Sequence, residues 1–511
     1  MLIRDGALAA HRATDIRAAE SLVLARLAEG ELMDRAAAAL AAVSAQVLQA
    51  RTGGVYGRRA VMLVGPGNNG GDALLAGARL QRRGVLVLAV LTADTAHVRG
   101  VADFRAAGGR IIKATHRPGE EEGLEEMKRA NIIIDGMVGI GGRPSLSGAS
   151  GRLATAVPAG TSVVSADMPS GLDPDSGVLS GVHVRADVTV SFGALKPCLL
   201  LPPASDAAGQ VVDISVGIEE GLPGVPFVRR LTGSGVAARW PIPAKFGHKY
   251  TRGVLGAVAG SDAYPGAAVL AVAGAQRAGV GIVRFIGPPG VTDHVLRAVP
   301  ESVPGGGRVQ AWLLGSGVES DSGQDRAIAE ALNSGLPCVV DAGALAECVR
   351  QRAAGIRATP GTQVLLTPHA GEVARVFGLL GESIQRDMVE SSPALYALRL
   401  AAQADATVLL KGSTTLIASP EGWLYSQSDG PAWLATAGSG DVLAGIAGAL
   451  MAQGISAMDA GAMAAYVHGQ AAIRASAGGP IAAGDVANAL PTTIANMLGK
   501  SDATAASSGR K

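Results

Sequence analysis

Short, uninterrupted apolar runs, each closing on a polar or glycine-rich turn, recur along most of this chain. Ala60-Val-Met-Leu-Val64 leads straight into Gly65-Pro-Gly-Asn-Asn-Gly-Gly-Asp72, and a helical pattern follows over 73–82. Similar runs at 85–91, 131–135, 162–167 and 187–192 read as further strands. Runs of this length without alternation belong to strands covered on both faces, so the pattern predicts a parallel sheet between helical layers. Ahead of it, Ala-rich periodic stretches predict helices near 14–27 and 31–49. Pro223, Pro226, Pro241 and Pro243 interrupt the alternation, which places a domain boundary between 220 and 245. Beyond it the pattern resumes: strands at 254–259, 283–286, 312–314, 338–341, 364–367 and 408–411, a helix over 266–277 and a strongly apolar helix over 442–451. The segment 499–511 is small and polar and is expected to be a disordered tail.

At 511 residues the chain is too long for one ordinary core. Apolar residues make up 48% but aromatics only 3%, with 71 glycines, so close helix–sheet packing replaces aromatic clusters. A balance of 44 basic against 43 acidic residues gives no electrostatic reason to expect nucleic acid or an anionic membrane surface as a partner. Cys198, Cys338 and Cys348 lack a close-set metal spacing and read as core thiols of a reducing compartment. The N-terminus shows no secretory pattern, and the apolar stretch after Asp441 is broken by Gly445, Gly448, Gln453, Gly454 and Ser456. It fits a buried helix better than a membrane span, and a cytoplasmic location is expected.

The chemistry concentrates at strand ends, where open α/β sheets bind their ligands. Thr436-Ala-Gly-Ser-Gly-Asp441 sets Gly438, Ser439 and Gly440 before the apolar helix, where converging N–H groups and the helix dipole suit a phosphate. Asp441 would repel a resting anion, so it reads as a base for an attacking hydroxyl. A tight turn with an Asp cap is the plainer alternative. Lys411-Gly-Ser-Thr-Thr415 closes an earlier strand with residues suited to nucleotide phosphates and ribose, and Thr367-Pro-His-Ala-Gly-Glu372 offers an imidazole. In the first half, Asn68-Asn-Gly-Gly-Asp72, Asp135-Gly-Met-Val-Gly-Ile-Gly-Gly-Arg143 and Asp167-Met-Pro-Ser-Gly-Leu-Asp173 follow three strands. Asn69, Asp135, Asp167 and Ser170 could together make an oxygen-only cation site, and each loop also admits an ordinary turn-and-cap reading.

Taken together these motifs resemble the bifunctional NAD(P)H-hydrate repair enzymes, over roughly residues 10–495. The resemblance is carried by Asn68–Asp72, Asp167–Asp173 and Phe192-Gly-Ala-Leu-Lys-Pro-Cys198 in the first half. In the second it is carried by Ala259-Gly-Ser-Asp-Ala-Tyr-Pro-Gly-Ala-Ala268, Leu366–Glu372, Lys411–Thr415 and Ala437–Asp441. It implies an α/β chain with a Rossmann-like three-layer epimerase domain over 1–225, a ribokinase-like dehydratase domain over 235–500, and a tail at 501–511.

The resemblance further implies that the first domain interconverts R- and S-hydrates of NADH and NADPH (NADHX and NADPHX). The second would dehydrate the S form at the expense of ADP or ATP with Mg2+. Asn68, Asn69, Gly70, Gly71, Asp72, Gly139, Ile140, Gly141, Gly142, Arg143 and Asp167 would contact the hydrate in the epimerase, with Asp167 as its acid/base group. Asn69, Asp135 and Ser170 would hold K+. In the dehydratase, Ala268, Gly317, His369 and Asp441 would face the hydrate, Asp441 as the base. Lys411, Gly412, Ser413, Thr414, Thr415, Gly438, Ser439 and Gly440 would bind the nucleotide. Gly- and Ala-rich surfaces would permit a homo-oligomer.

The chain departs from the family pattern where Met137-Val138 follow Asp135-Gly136, at Ala73, at Ser316 between Gly315 and Gly317, and at Gly343, where a second aspartate is usual. A ribokinase-like kinase for a small alcohol, fused to a non-catalytic Rossmann-like module, is the competing reading. A stable phosphorylated product would mark it.

Overall fold

The structure, a computed structural model, describes residues 6–319, 323–356 and 361–508. It divides into two compact units, 8–228 and 229 onward, the second also taking Gly6 and Ala7.

In the first unit, helices Ala13–Leu24 and Glu31–Thr52 occupy the two stretches read as helical. Seven strands follow: Arg59–Val64, Leu86–Leu91, Arg110–Lys113, Ile132–Gly136, Ser162–Ala166, Val188–Phe192 and Gln210–Ile214. All are parallel, and numbered in chain order they lie 3-2-1-4-5-6-7 across the sheet. That is a Rossmann-like arrangement. The order reverses between the first and fourth strands, so the loops leaving their carboxyl ends flank a crevice, the usual ligand position of such sheets. Ile132–Gly136 is buried at every position, as its unbroken apolar run requires. One face of the sheet is covered by a core including Leu40, Leu48, Leu74 and Phe104. The other is covered by one including Met127, Leu146 and Leu153. The strands Arg110–Lys113 and Gln210–Ile214 escape the sequence pattern because they are the sheet's edges, half-exposed and without a continuous apolar run.

The helix after the first strand begins at Asn68, earlier than the expected 73. The whole Asn68–Asp72 motif therefore forms its opening turn. Two glycines permit this: a Cβ at Gly70 would stand 2.1 Å from the Gly65 carbonyl oxygen, and one at Gly65 would stand 1.8 Å from that of Met137. No side chain fits at either place.

The second unit carries parallel strands Val254–Val258, Ile282–Ile286, Val303–Pro304, Ala311–Leu314, Cys338–Val340, Val364–Leu366 and Thr407–Leu410. Two antiparallel strands, Thr415–Ala418 and Leu424–Gln427, extend it beyond Thr407–Leu410. The apolar helix starts at Ser439, three residues before its expected start, and runs to Ala452. It crosses helix Pro265–Arg277 at van der Waals closeness: a Cβ at Gly445 would stand 2.1 Å from the Ala271 carbonyl oxygen, and one at Gly274 2.6 Å from that of Val442. This crossing explains the composition, since small residues let the backbones touch. Helices Ala457–Ser476 and Ala483–Ser508 complete the layer. The last of these occupies most of the stretch expected to be a tail, and 509–511 lie outside the described residues. All three cysteines are buried free thiols, and among the described residues no helix is long and apolar enough to cross a membrane.

Candidate active sites

In the first unit, the loops at the crevice converge on Asp167. This residue ends the strand Ser162–Ala166 and takes a left-handed backbone conformation, φ 66°. Its N–H donates to the Val190 carbonyl at 2.7 Å, which anchors the turn on the neighbouring strand. A left-handed aspartate is uncommon and persists only where surrounding contacts over-determine it. The buried Lys196 ammonium donates to Asp167 Oδ1, to Ser191 Oγ at 3.2 Å and to the Phe192 carbonyl at 3.3 Å. The other carboxylate oxygen faces the Gly139 loop: a Cβ at Gly139 would stand 3.4 Å from Asp167 Oδ2 and 3.4 Å from Asn69 Cγ. Asn69, Gly139 and Asp167, from three separate motifs, thus meet at one point.

Asp72 is buried in the same cluster. Burial foremost, then the charges of Asp167 and Glu20, hold its carboxyl well above the usual carboxylate range. Glu20 is itself raised, by burial and by Asp167. Glu20 and Lys196 carry no role in the sequence analysis. Glu20 sits in an Ala-rich helix with nothing to distinguish it from a solvated face, and Lys196 lay within a quoted motif without a chemical task. Arg17, on the helix of Glu20, donates to the Ile140 carbonyl at 2.5 Å and ties the Gly139–Arg143 loop down. Gly141 and Arg143 are exposed at the loop's outer side.

Asp135 is fully buried and accepts four hydrogen bonds: from Ser170 Oγ at 2.6 Å, Ser170 N at 2.8 Å, Ser165 Oγ at 2.9 Å and Met137 N at 3.2 Å. Burial still outweighs these bonds and raises its pKa. Asn69 presents the opposite case. Its amide oxygen and nitrogen are both buried and both lack a partner. An unsatisfied buried amide is costly and calls for an occupant. Asn69, Ser170 and Asp135 offer oxygen donors, the chemistry a hard monovalent cation takes.

In the second unit, the site gathers at the N-terminus of Ser439–Ala452. Gly438 is its left-handed N-cap, φ 85°, so the Ser439, Gly440 and Asp441 amides open the helix with no intrahelical partners. Burial, with Asp341 and Glu372 adding like charge against the opposing Lys411, pushes the Asp441 carboxyl up to about 7. Lys411 Nζ lies 2.9 Å from Asp341 Oδ1 and 3.8 Å from Glu372 Oε2. It also borders the anion loop: a Cβ at Gly440 would stand 3.4 Å from it. Gly412 and Ser413 are exposed beyond it, Thr414 is buried, and Thr415 opens the next strand.

His369 caps helix Ala370–Leu379. Its Nδ1 accepts from Gly371 N at 3.0 Å and Glu372 N at 3.2 Å, while Glu372 Oε2 accepts from His369 N at 2.8 Å. With Nδ1 accepting, the neutral ring carries its proton on Nε2, and burial leads the causes that lower its pKa. Ala268 and Gly317 meet the same end of the sheet: a Cβ at Gly260 would stand 2.7 Å from Ala268 Cβ, and one at Gly317 2.5 Å from Ala267 Cβ.

Asp341, at the end of the strand Cys338–Val340, is the hub of the site. It is buried and accepts from Ser316 Oγ at 2.9 Å and Thr367 Oγ1 at 2.9 Å besides Lys411. The Ser316 departure therefore supplies a donor to this carboxylate. The Gly343 departure has a steric counterpart, since a Cβ there would stand 2.1 Å from the Val318 carbonyl oxygen. His468 was not anticipated either. Its fully buried ring hydrogen-bonds the Ser439 backbone, and burial drives its pKa down to about 4.

Both units match known proteins. A family model described as NAD(P)H-hydrate dehydratase matches residues 255–494, and one described as YjeF-related protein N-terminus matches 29–198. The bifunctional NAD(P)H-hydrate repair enzyme of Mycobacterium leprae is 41% identical over 490 residues, covering 94% of this chain and 96% of its own. That of Mycobacterium tuberculosis is 41% identical over 452 residues, covering 88% and 90%. The solved ADP/ATP-dependent NAD(P)H-hydrate dehydratase of Bacillus subtilis, co-crystallised with ATP and Mg2+, matches at 28% identity, 52% of this chain and 97% of that one, with a TM-score of 0.47.

Proposed function

The chain belongs to the bifunctional NAD(P)H-hydrate repair enzymes, and from that premise we propose that each unit carries one half of the repair. The epimerase is assigned to 1–225 and interconverts the R- and S-hydrates of NADH and NADPH. The dehydratase is assigned to 235–500 and returns the S form to the reduced cofactor. The observation that carries this reading is Asp441, a carboxyl raised to about 7 at the mouth of a helix N-terminus.

The hydrate is a poor substrate for elimination because hydroxide leaves badly. Asp441 takes the C6 hydroxyl proton as the oxygen attacks the terminal phosphoryl group of ADP or ATP. The Gly440 amide and the Lys411 ammonium meet the charge that develops. Phosphate then departs from C6, a neighbouring C–H proton is lost, and the ring double bond returns. Mg2+ would accompany the nucleotide's phosphates, whose charge it would offset.

In the epimerase, Asp167 Oδ2 takes the hydroxyl proton from the carbinolamine. The C6–N1 bond opens to an aldehyde as N1 gains a proton, C6 presents its other face, and the reverse steps close the ring. K+ would be held by Asn69, Asp135 and Ser170; the orphaned Asn69 amide supports this placement.

The test uses mixed R/S hydrate with K+, Mg2+ and ADP or ATP, following recovery of reduced-nicotinamide absorbance with spontaneous epimerisation subtracted. The wild type recovers both epimers, Asp167→Ala only the S form, and Asp441→Ala neither. A phosphorylated product that accumulates without absorbance recovery would replace the dehydratase with a kinase.

A further inference from the structure

We infer that Lys196 is a positioning residue of the epimerase, one that divides the labour of the two Asp167 oxygens. The inference rests on the reading of Asp167 as the group that moves the hydroxyl proton. Lys196 follows the strand Val188–Phe192 and precedes the short 3-10 turn Pro197–Leu199. The strand Ser162–Ala166, which delivers Asp167, pairs with Val188–Phe192 in parallel, so both residues leave the same sheet end.

Three acceptors surround the ammonium: Asp167 Oδ1, Ser191 Oγ and the Phe192 carbonyl. An ammonium has three N–H donors, so all are spent, and none is left for a substrate. The side chain is also 1% exposed, which removes it from any ligand in the crevice. Its effect must pass through Asp167.

Asp167 Oδ1 is further approached by Phe192 N at 3.4 Å, so that oxygen is committed to the protein. Oδ2 receives no hydrogen bond among the described residues and faces Gly139 and Asn69. The backbone contributes as well. With φ at 66° and its N–H held by Val190, the backbone fixes where the Asp167 side chain leaves the sheet, and the Lys196 ammonium holds one of its oxygens there. One oxygen is therefore an anchor and the other is aimed at the crevice. A carboxylate held this way keeps a single lone-pair direction for the hydroxyl proton, as an oriented base requires. An ion pair serving stability alone would have no reason to leave one oxygen unbonded beside an orphaned amide.

The test compares Lys196→Met, Lys196→Arg, Asp167→Ala and the double variant Asp167→Ala/Lys196→Met in the full chain. R-to-S conversion and nucleotide-dependent dehydration of pure S-hydrate are measured side by side. Lys196→Met is expected to lower the epimerase kcat by about 10²-fold or more, the usual scale for a lost acid–base contribution, with KM little changed. The double variant should be no slower than Asp167→Ala, because the lysine acts only through that carboxylate. Lys196→Arg should restore part of the rate, and dehydration should be unaffected in every variant.

Near-wild-type kcat in Lys196→Met with an inactive Asp167→Ala would overturn the role of Lys196 while leaving Asp167 in place. An active Asp167→Ala would instead overturn the underlying reading. Losses that add in the double variant, or that rise in KM alone, would mark a structural or binding role and overturn the inference. Should limited proteolysis show that Lys196→Met fails to fold, Lys196→Gln, which keeps hydrogen-bonding capacity without the charge, takes its place.

Discussion

Lys411 Nζ stands 2.9 Å from Asp341 Oδ1, and the two residues pull the proton affinity of Asp441 in opposite directions. Asp341 raises it and Lys411 lowers it, with burial as the larger cause. A base works only when ionised, so the dehydratase kcat should be low below pH about 7 and rise through it. Asp341→Asn removes a raising charge and should move the acid limb to lower pH; Lys411→Met should move it to higher pH. Initial rates on saturating S-hydrate across the range check this. A limb that moves the same way in both variants would show that Asp441 does not set it.

Asn69 makes the second prediction. Its unsatisfied amide costs the ion-free protein stability, so Asn69→Ala should leave the melting temperature without K+ unchanged or slightly raised. K+ at 100 times its dissociation constant should stabilise the wild type by about 2.7 kcal/mol by mass action. That gain should vanish in the variant. Thermal melts in KCl against an equal concentration of choline chloride measure it, and an equal shift in both proteins would remove Asn69 from the ion site.

His468 gives a stability prediction with a definite sign. Its folded pKa is about 4, below the 6.5 of a free imidazole. The unfolded chain therefore gains a proton first as pH falls, and stability declines between about 6.5 and about 4, by roughly 3 kcal/mol in all. Above that window the neutral ring costs nothing in proton linkage. His468→Gln should flatten this part of the pH–stability curve, as read from urea midpoints of the second unit, and should weaken nucleotide binding through the Ser439 loop.

The helix crossing at Gly445 supplies the fourth. A methyl group there would press on the Ala271 carbonyl at 2.1 Å and the Ala275 N at 2.9 Å. Overpacking of this kind costs about 1–3 kcal/mol. Gly445→Ala should lower the dehydratase midpoint in urea and its activity, with epimerisation retained. Wild-type stability would mean that the two helices separate freely.

How much of this was legible in the sequence depended on where each residue draws its partners. Strands such as Ile132–Gly136 announced themselves because burial on both faces leaves an unbroken apolar run. Arg110–Lys113 and Gln210–Ile214 did not, since an edge strand keeps polar positions. The Gly-Ser-Gly-Asp loop was readable because its chemistry is local, a run of amides at one helix start. Glu20, Lys196, Asp341 and His468 were silent for the opposite reason. Each acquires its role from groups far along the chain, as Asp341 does from Ser316, Thr367 and Lys411. Even His369, expected from the sequence to face the hydrate, has its Nδ1 already spent on capping its helix.

The touching backbones of Pro265–Arg277 and Ser439–Ala452 bear on how this protein can change over time. The stretch from Gly438 to Ala452 looks interchangeable on paper, a string of glycines, alanines and aliphatics. Gly445 is nevertheless fixed by backbone atoms across the crossing, and Gly438 by a left-handed φ of 85° beside Leu270, so the smallest exchange available to either adds a methyl group with no room for it. A survey of tolerated substitutions would find this plain-looking segment among the least forgiving in the chain, more so than the exposed part of the loop at Gly412 and Ser413. The Gly438–Asp441 loop is thereby sheltered from drift by the helix behind it.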